Sequence, residues 1–226
     1  MRRHHYKLKV MKKIAFILLA FVACHLTTNA QKTRFGFSAG TISGRYHLKV
    51  DGETYNSKSK AGFTAGVMAE IHLNKYFGFQ PSLNMIQKST INEFHSSLDG
   101  PNFKLTVNCL EVPLNLTFNR QGKSGNFFVG AGPSFSIGIL GKLESYGWIH
   151  NVSNIKFGSG KDDDLKWLDM GVNFMIGYCF KNGLLISVNY NAGLTNLDPE
   201  GSNDDIMKSR YFGIRLGYLL KGVSKK

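Results

Sequence analysis

Cysteine is scarce in this chain, with three among 226 residues, and proline scarcer than average, with five. So few cysteines exclude a small disulfide-stapled scaffold. So few prolines, with glycines that follow no fixed period, exclude a collagen-like or Pro-rich chain. Charged residues make up only 19% of the sequence, and acids are the rarer kind: 15 Asp plus Glu against 28 Lys plus Arg. With 42% hydrophobic residues beside them, a composition this poor in charge does not describe a disordered chain. Apolar runs of ~18 residues are also missing, so no ordinary membrane-spanning helix is expected.

The first thirty residues hold Arg2, Arg3, Lys7, Lys9, Lys12 and Lys13 and no acid. An apolar stretch from Ile14 to Cys24 follows, then His25-Leu26-Thr27-Thr28-Asn29-Ala30. A basic segment, a short apolar run and a small residue at the exit describe a secretory signal peptide. Residues 1–30 are therefore expected to be a signal cleaved after Ala30, with residues 31–226 as the mature domain. Met11 is an alternative start, and lipidation of Cys24 after Phe21-Val22-Ala23 an alternative processing route. Removing residues 1–30 takes away six Lys and Arg and no acids, lowering 28 to 22 against 15 and the formal charge from +13 to about +7. That excess is dispersed. Export argues against nucleic acid and for an anionic membrane surface as the partner. Only Cys109 and Cys179 then remain. Neither has a zinc-like spacing to histidine, and both read as small apolar fillers.

What the mature chain has in abundance is alternation. Phe63, Ala65, Val67, Ala69, Ile71 and Leu73 alternate with Thr64, Gly66, Met68, Glu70 and His72. Such a period of two marks a strand with one apolar and one mostly polar face. Eight segments repeat it: 34–48, 63–73, 77–88, 104–118, 126–140, 166–180, 184–196 and 210–220. Ile86 and Phe128 break the polar face, and the apolar parity changes near Cys109, where a bulge is expected. Three connections are short: Asn74-Lys75-Tyr76, Arg120 to Gly125, and Lys181-Asn182-Gly183. Four are long and polar, near 49–61, 89–103, 141–165 and 197–209. Short turns alternating with long loops, over an even number of strands, describe a transmembrane β-barrel.

Threading the strands up and down places aromatics at both ends. The low ends hold Phe35, Phe37, Tyr76, Phe77, Phe79, Phe118, Phe127, Tyr178, Phe180 and Tyr218. The high ends hold Tyr46, Phe63, Phe103, Trp167, Tyr211 and Phe212. Two bands are expected of girdles at two membrane interfaces. The fold class read from these patterns is all-β, an eight-stranded antiparallel up-and-down transmembrane barrel behind a cleaved signal peptide, located in a bacterial outer membrane.

Four ordered segments carry a resemblance to a family: Leu110-Glu111-Val112-Pro113-Leu114, Phe128-Val129-Gly130-Ala131-Gly132-Pro133, Asp169-Met170-Gly171-Val172-Asn173, and Tyr190-Asn191-Ala192-Gly193-Leu194-Thr195-Asn196. Over most of residues 34–220 the chain resembles the PorT-like outer-membrane β-barrels common in Bacteroidetes. The resemblance implies an eight-stranded outer-membrane barrel and little chemistry. The family's namesake is linked to a protein-secretion system and gingipain maturation. The chain departs from many such barrels at its end, where Leu219-Leu220 precedes Lys221 rather than an aromatic residue closing the sequence.

The polar face carries Glu70, His72, Lys88, Glu111, Asp169 and Arg215. Buried charges need partners, and eight strands leave a lumen just wide enough for side chains. Arg215 is therefore expected to pair with Glu111 or Glu70 across the lumen, as a structural polar plug rather than a pore. A catalytic reading would join Ser82, His72 and Glu70 as nucleophile, base and orienting acid. Those residues face a narrow lumen while lipid substrates arrive from outside, so no enzyme is expected. The acids Asp162-Asp163-Asp164, Asp198, Asp204 and Asp205 match no calcium-loop spacing. No metal or cofactor is expected. Tyr146, Trp148, Ile149 and Ile155 are apolar residues in a long loop, placed either at a partner site or on the barrel rim. The expected role is structural or interaction-based. Expected partners are outer-membrane lipids and lipopolysaccharide, the barrel assembly machinery and other envelope or secretion proteins. The alternatives are a soluble exported lipocalin-like carrier and a lipid-modifying outer-membrane enzyme.

Overall fold

The computed structural model describes residues 33–50, 53–92, 102–146, 150–201 and 205–221. The expected signal peptide at 1–30, Trp148, Ile149 and Asp204 lie outside the described residues. Eight long strands dominate: β1 (Thr33–Val50), β2 (Lys58–His72), β3 (Phe77–Asn92), β4 (Asn102–Gln121), β5 (Gly125–Tyr146), β6 (Leu168–Phe180), β7 (Leu184–Gly193) and β8 (Ile206–Leu219). Each pairs antiparallel with its sequence neighbours, and β1 pairs with β8 from Gly36↔Leu219 to Lys49↔Ile206, which closes the ring. Closure leaves no free edge along the wall. The alternation seen in the sequence becomes two surfaces. Phe37, Val67, Leu116, Ile176, Ile214 and Leu216 are exposed on the outside. Asn84, Glu111, Asn173, Asn189 and Arg215 are buried inside. An apolar exterior around a polar interior suits hydrocarbon rather than water as solvent.

The three short connections sit together at one end. Asn74 Oδ1 accepts from the backbone N–H of Tyr76 and of Phe77, both at 2.8 Å. This turn chemistry is characteristic of asparagine. In Lys181-Asn182-Gly183 the backbone needs φ of +96° at Gly183, a region in which L side chains cost about 1–2 kcal/mol. At the other end the wall rises unevenly. Strands β4 and β5 pair from Gln121↔Asn126 up to Asn102↔Tyr146, while β6 leaves β5 at Leu168↔Ile137. Above that point the short strand Asn151–Asn154 takes over the edge of β5, from Lys142 to Ser145. Another short strand, Glu53–Asn56, pairs with the top of β1.

The bulge expected on β4 near Cys109 lies on the partner strand. Asn108 faces Leu140 and Cys109 faces Gly138, so Ile139 of β5 is the extra residue. The buried side chains of β4 stay on odd positions throughout: Leu105, Val107, Cys109, then Glu111, Asn115, Thr117 and Asn119. The apolar parity changes because the lumen itself changes character with height. Its outer mouth is apolar, with Tyr46, Leu105, Val107, Cys109, Leu165 and Leu197 packed against Ile155 and Phe157. Its turn end is apolar as well, built on Phe128, Met175, Cys179, Leu185 and Leu219. That accounts for Phe128 on an otherwise polar face. Ile86 is fully buried beside Ile42 and Tyr211 in a third cluster.

The aromatic bands need one correction. At the outer end, Phe63 and Phe212 are exposed on the wall, but Tyr46 and Tyr211 point into the lumen, 3% and 1% exposed. Both share parity with inward neighbours: Tyr46 with Gly44 and Ile42, and Tyr211 with Gly213 and Arg215. Of the low-end aromatics, Phe35, Phe37, Tyr76, Phe77, Phe118, Phe127 and Tyr218 are exposed on the outside.

Candidate functional site

The charged interior is built by strand neighbours and completed across the lumen. Nearest the turn end, Arg34 of β1 stands opposite Glu70 of β2. Its Nε donates to Glu70 Oε2 at 2.7 Å. His72 Nε2 lies 3.9 Å from the same oxygen, at the more exposed end of β2. At mid-height, Glu111 of β4 and Asp169 of β6 both stand opposite Ser136 of β5. Ser136 Oγ donates to Glu111 Oε2 at 3.1 Å. From the far wall, the Tyr211 hydroxyl donates to Glu111 Oε1 at 2.6 Å and accepts from Arg215 Nη2 at 3.3 Å. Above this, Lys88 of β3 donates to Ser209 Oγ at 2.8 Å and lies 3.9 Å from Asp169 Oδ2. The Lys88 ammonium also sits 5.4 Å from the centre of the Tyr211 ring, a favourable cation–π distance.

All six expected lumen residues thus face the interior, though they form three groups rather than one. The direct pairing expected for Arg215 is replaced. Glu70 is held by Arg34, and Glu111 is joined to Arg215 through Tyr211. Sequence reasoning missed Arg34, Tyr211 and Ser209 as members. Strand parity carries the signal for each, since Arg34 shares the even positions of β1 with Ser38 and Ile42. Uncharged crosslinks fill the remaining height: Asn173 Nδ2 donates to Asn115 Oδ1 at 3.0 Å and Asn191 Nδ2 to Ser134 Oγ at 2.7 Å. Three cations face three carboxylates. Such pairing is what keeps buried charge from being prohibitively costly.

Little room is left for a ligand. Two cavities of about 20 Å³ flank the Glu111–Tyr211–Arg215 layer. The outer one touches Lys88, Cys109 and Asp169, the inner one Gln80, Asn189 and Arg215. Each is large enough for a single water. Asp169 Oδ1 and Arg215 Nε have no hydrogen-bond partner and border these spaces. The suggested Ser82, His72 and Glu70 constellation does not assemble. His72 stands opposite Gly78, four residues from Ser82 on β3, about 13 Å at 3.3 Å per residue. Ser82 Oγ accepts from Asn84 Nδ2 at 3.1 Å instead.

The outer loops spend their acids on backbone. Asp163 Oδ2 accepts from Gly160 N–H and Asp164 Oδ2 from Lys156 N–H, each at 2.7 Å, and Asp198 Oδ1 from Glu200 N–H at 2.9 Å. Among the described residues, no three His, Cys, Asp or Glu side chains are placed to share a metal ion. Ile155 packs on the outer-mouth cluster, whereas Tyr146 is exposed, close to His150, and donates to Glu144. That bond, with the Lys104 ion pair second, holds the Glu144 carboxyl below its ordinary range. Cys109 and Cys179 are free thiols buried at opposite ends of the lumen.

Comparison with known proteins gives a family and a set of similar barrels. A family model described as outer membrane protein beta-barrel domain matches residues 29–198. Among solved structures, the attachment invasion locus protein Ail of Yersinia pestis is 18% identical, with 84% of this chain and 99% of that chain covered and a TM-score of 0.41. OprG of Pseudomonas aeruginosa is 11% identical, with 85% and 98% covered and a TM-score of 0.45. Neisserial surface protein A is 11% identical, with 81% and 96% covered and a TM-score of 0.44. A comparison with curated protein sequences gives no match.

Proposed function

The chain belongs to the outer membrane protein beta-barrel domain family, and from that premise we propose a sealed barrel whose work is done by its surfaces rather than its lumen. It is a β-barrel protein of the bacterial outer membrane. The observation that carries the proposal is the filled interior. Glu111 is wholly buried and tied to both walls, and the two cavities that flank it are each of single-water size. Short turns face the periplasm and the taller loops face outward. Contacts with envelope or secretion proteins then fall to those loops and turns. The PorT-like resemblance supports a place near secretion. Lipids, lipopolysaccharide and the assembly machinery are the partners that any such barrel meets.

The test is electrical. The mature chain, refolded and inserted into planar bilayers, is expected to give no sustained conductance steps. Reproducible steps that disappear on heat denaturation would replace the sealed barrel by a narrow pore. The separation of His72 from Ser82 speaks against the enzyme reading, and an unchanged lipid profile after His72→Ala would agree with it. The signal-peptide reading predicts an exported protein that begins at Gln31. An intact mass that includes residues 1–30, or a lipid on Cys24, would overturn it.

A further inference from the structure

On the outer half of the β1–β8 seam, basic side chains face each other. Arg45 stands directly opposite Arg210, and the next outward pair is His47 with Lys208. Side chains opposite each other in an antiparallel pair lie about 5 Å apart at Cβ, and like charges there repel. Both arginines point away from the lumen. Tyr46, Gly44, Ser209 and Tyr211 beside them are the buried positions. Phe212, exposed on the wall, is two residues from Arg210 on the membrane side, with Ile214 beyond it. The arginines therefore sit about 7 Å outward of the apolar band. On β7, the residue opposite Arg210 is Ala192, which leaves that flank low.

Elsewhere on the outer rim a cation has its acid: Lys104 donates to both oxygens of Glu144 at 3.0 Å. Among the described residues, no carboxylate pairs with Arg45, Arg210 or Lys208. Two guanidinium forks beside an ammonium suit the oxygens of a phosphate. Their height fits the headgroup of a lipid whose chains run down over Phe212 and Ile214. We propose that Arg45, Arg210 and Lys208 form a binding site for the phosphate of a phosphorylated glycolipid in the outer leaflet. This rests on the reading of the barrel as lipid-embedded and adds a defined headgroup contact to it.

The test is native mass spectrometry of the full mature chain, released from micelles doped with bisphosphorylated lipid A or with its dephosphorylated counterpart. Charge-assisted hydrogen bonds of this kind predict a preference on the order of tenfold for the phosphorylated lipid. The Arg45→Gln/Arg210→Gln double variant should lose the preference, Arg45→Lys/Arg210→Lys should keep only part of it, since an ammonium lacks the fork, and Lys104→Gln should leave it intact. Equal retention of the two lipids, or an unchanged preference in the glutamine variant, would overturn the site. Displacement of the lipid by equimolar inorganic phosphate would also overturn it, as a site for the free anion. Each sample is checked for a heat-modifiable band. A lost preference with that band intact, and still no conductance, touches the headgroup site alone.

Discussion

Tyr211 donates one hydrogen bond and accepts another, and the two partners carry opposite charge. Its loss therefore strands both. Glu111→Gln alone should cost about 3–5 kcal/mol, because it removes the countercharge of a buried guanidinium. Combining it with Arg215→Met should cost clearly less than the sum of the two single changes. Urea unfolding of the four proteins in one detergent measures the difference, and simple additivity would show that the tyrosine bridge transmits nothing. At this scale the sequence was partly legible. The charged members were visible from parity and residue type. Residue type alone suggests a girdle position for Tyr211, an aromatic near the barrel rim, whereas its position in the strand puts it inside. The lumen accepts so large a ring because Gly213 follows it two residues on and leaves its space to Ile42. Such compensation depends on which residues meet across the closed ring, and one strand's pattern does not contain it.

The eight strands were legible as elements because their period of two runs for ten residues or more, well beyond what local noise imitates. Their outer ends were not. Strand β5 continues to Tyr146 although alternation stops near Leu140, since β4 and the segment Asn151–Asn154 offer it partners on both sides. The outer strap, residues 155–165, owes its position to Gly138. A methyl group there would overlap the Phe157 ring. Gly138→Leu should lift Phe157 out of the mouth while the wall stays closed. The expected result is faster tryptic cutting after Lys156 and Lys161 with the rest of the barrel resistant. Cutting at the wild-type rate would mean that the strap is anchored elsewhere, for instance by Leu165 in the outer-mouth cluster.

Over the whole molecule, acids are sorted along the barrel axis and bases are not, since Arg45, Lys156, Lys161 and Lys208 share the outer end with them. The turn end carries Lys75, Arg120, Lys123, Lys181 and Lys221 without an acid in those turns, whereas Asp162, Asp163, Asp164, Asp198 and Glu200 sit in the outer loops. In the orientation proposed above, this basic end meets the headgroups of the inner leaflet. The lumen between the two ends holds its charges in opposed pairs. Turn length made the two ends distinguishable in the sequence, because three short turns alternate with long loops.

The two thiols divide the interior into separately timed compartments. Cys109 lies under the outer strap and Cys179 within the apolar cluster at the turn end. A thiol hidden this way reacts only when its own end opens, so its alkylation rate is a clock for that opening alone. With one cysteine in each half and none between, the folded barrel carries an internal record of which end breathes first. A membrane-impermeant reagent added on one face and then the other reads that record without any label being introduced.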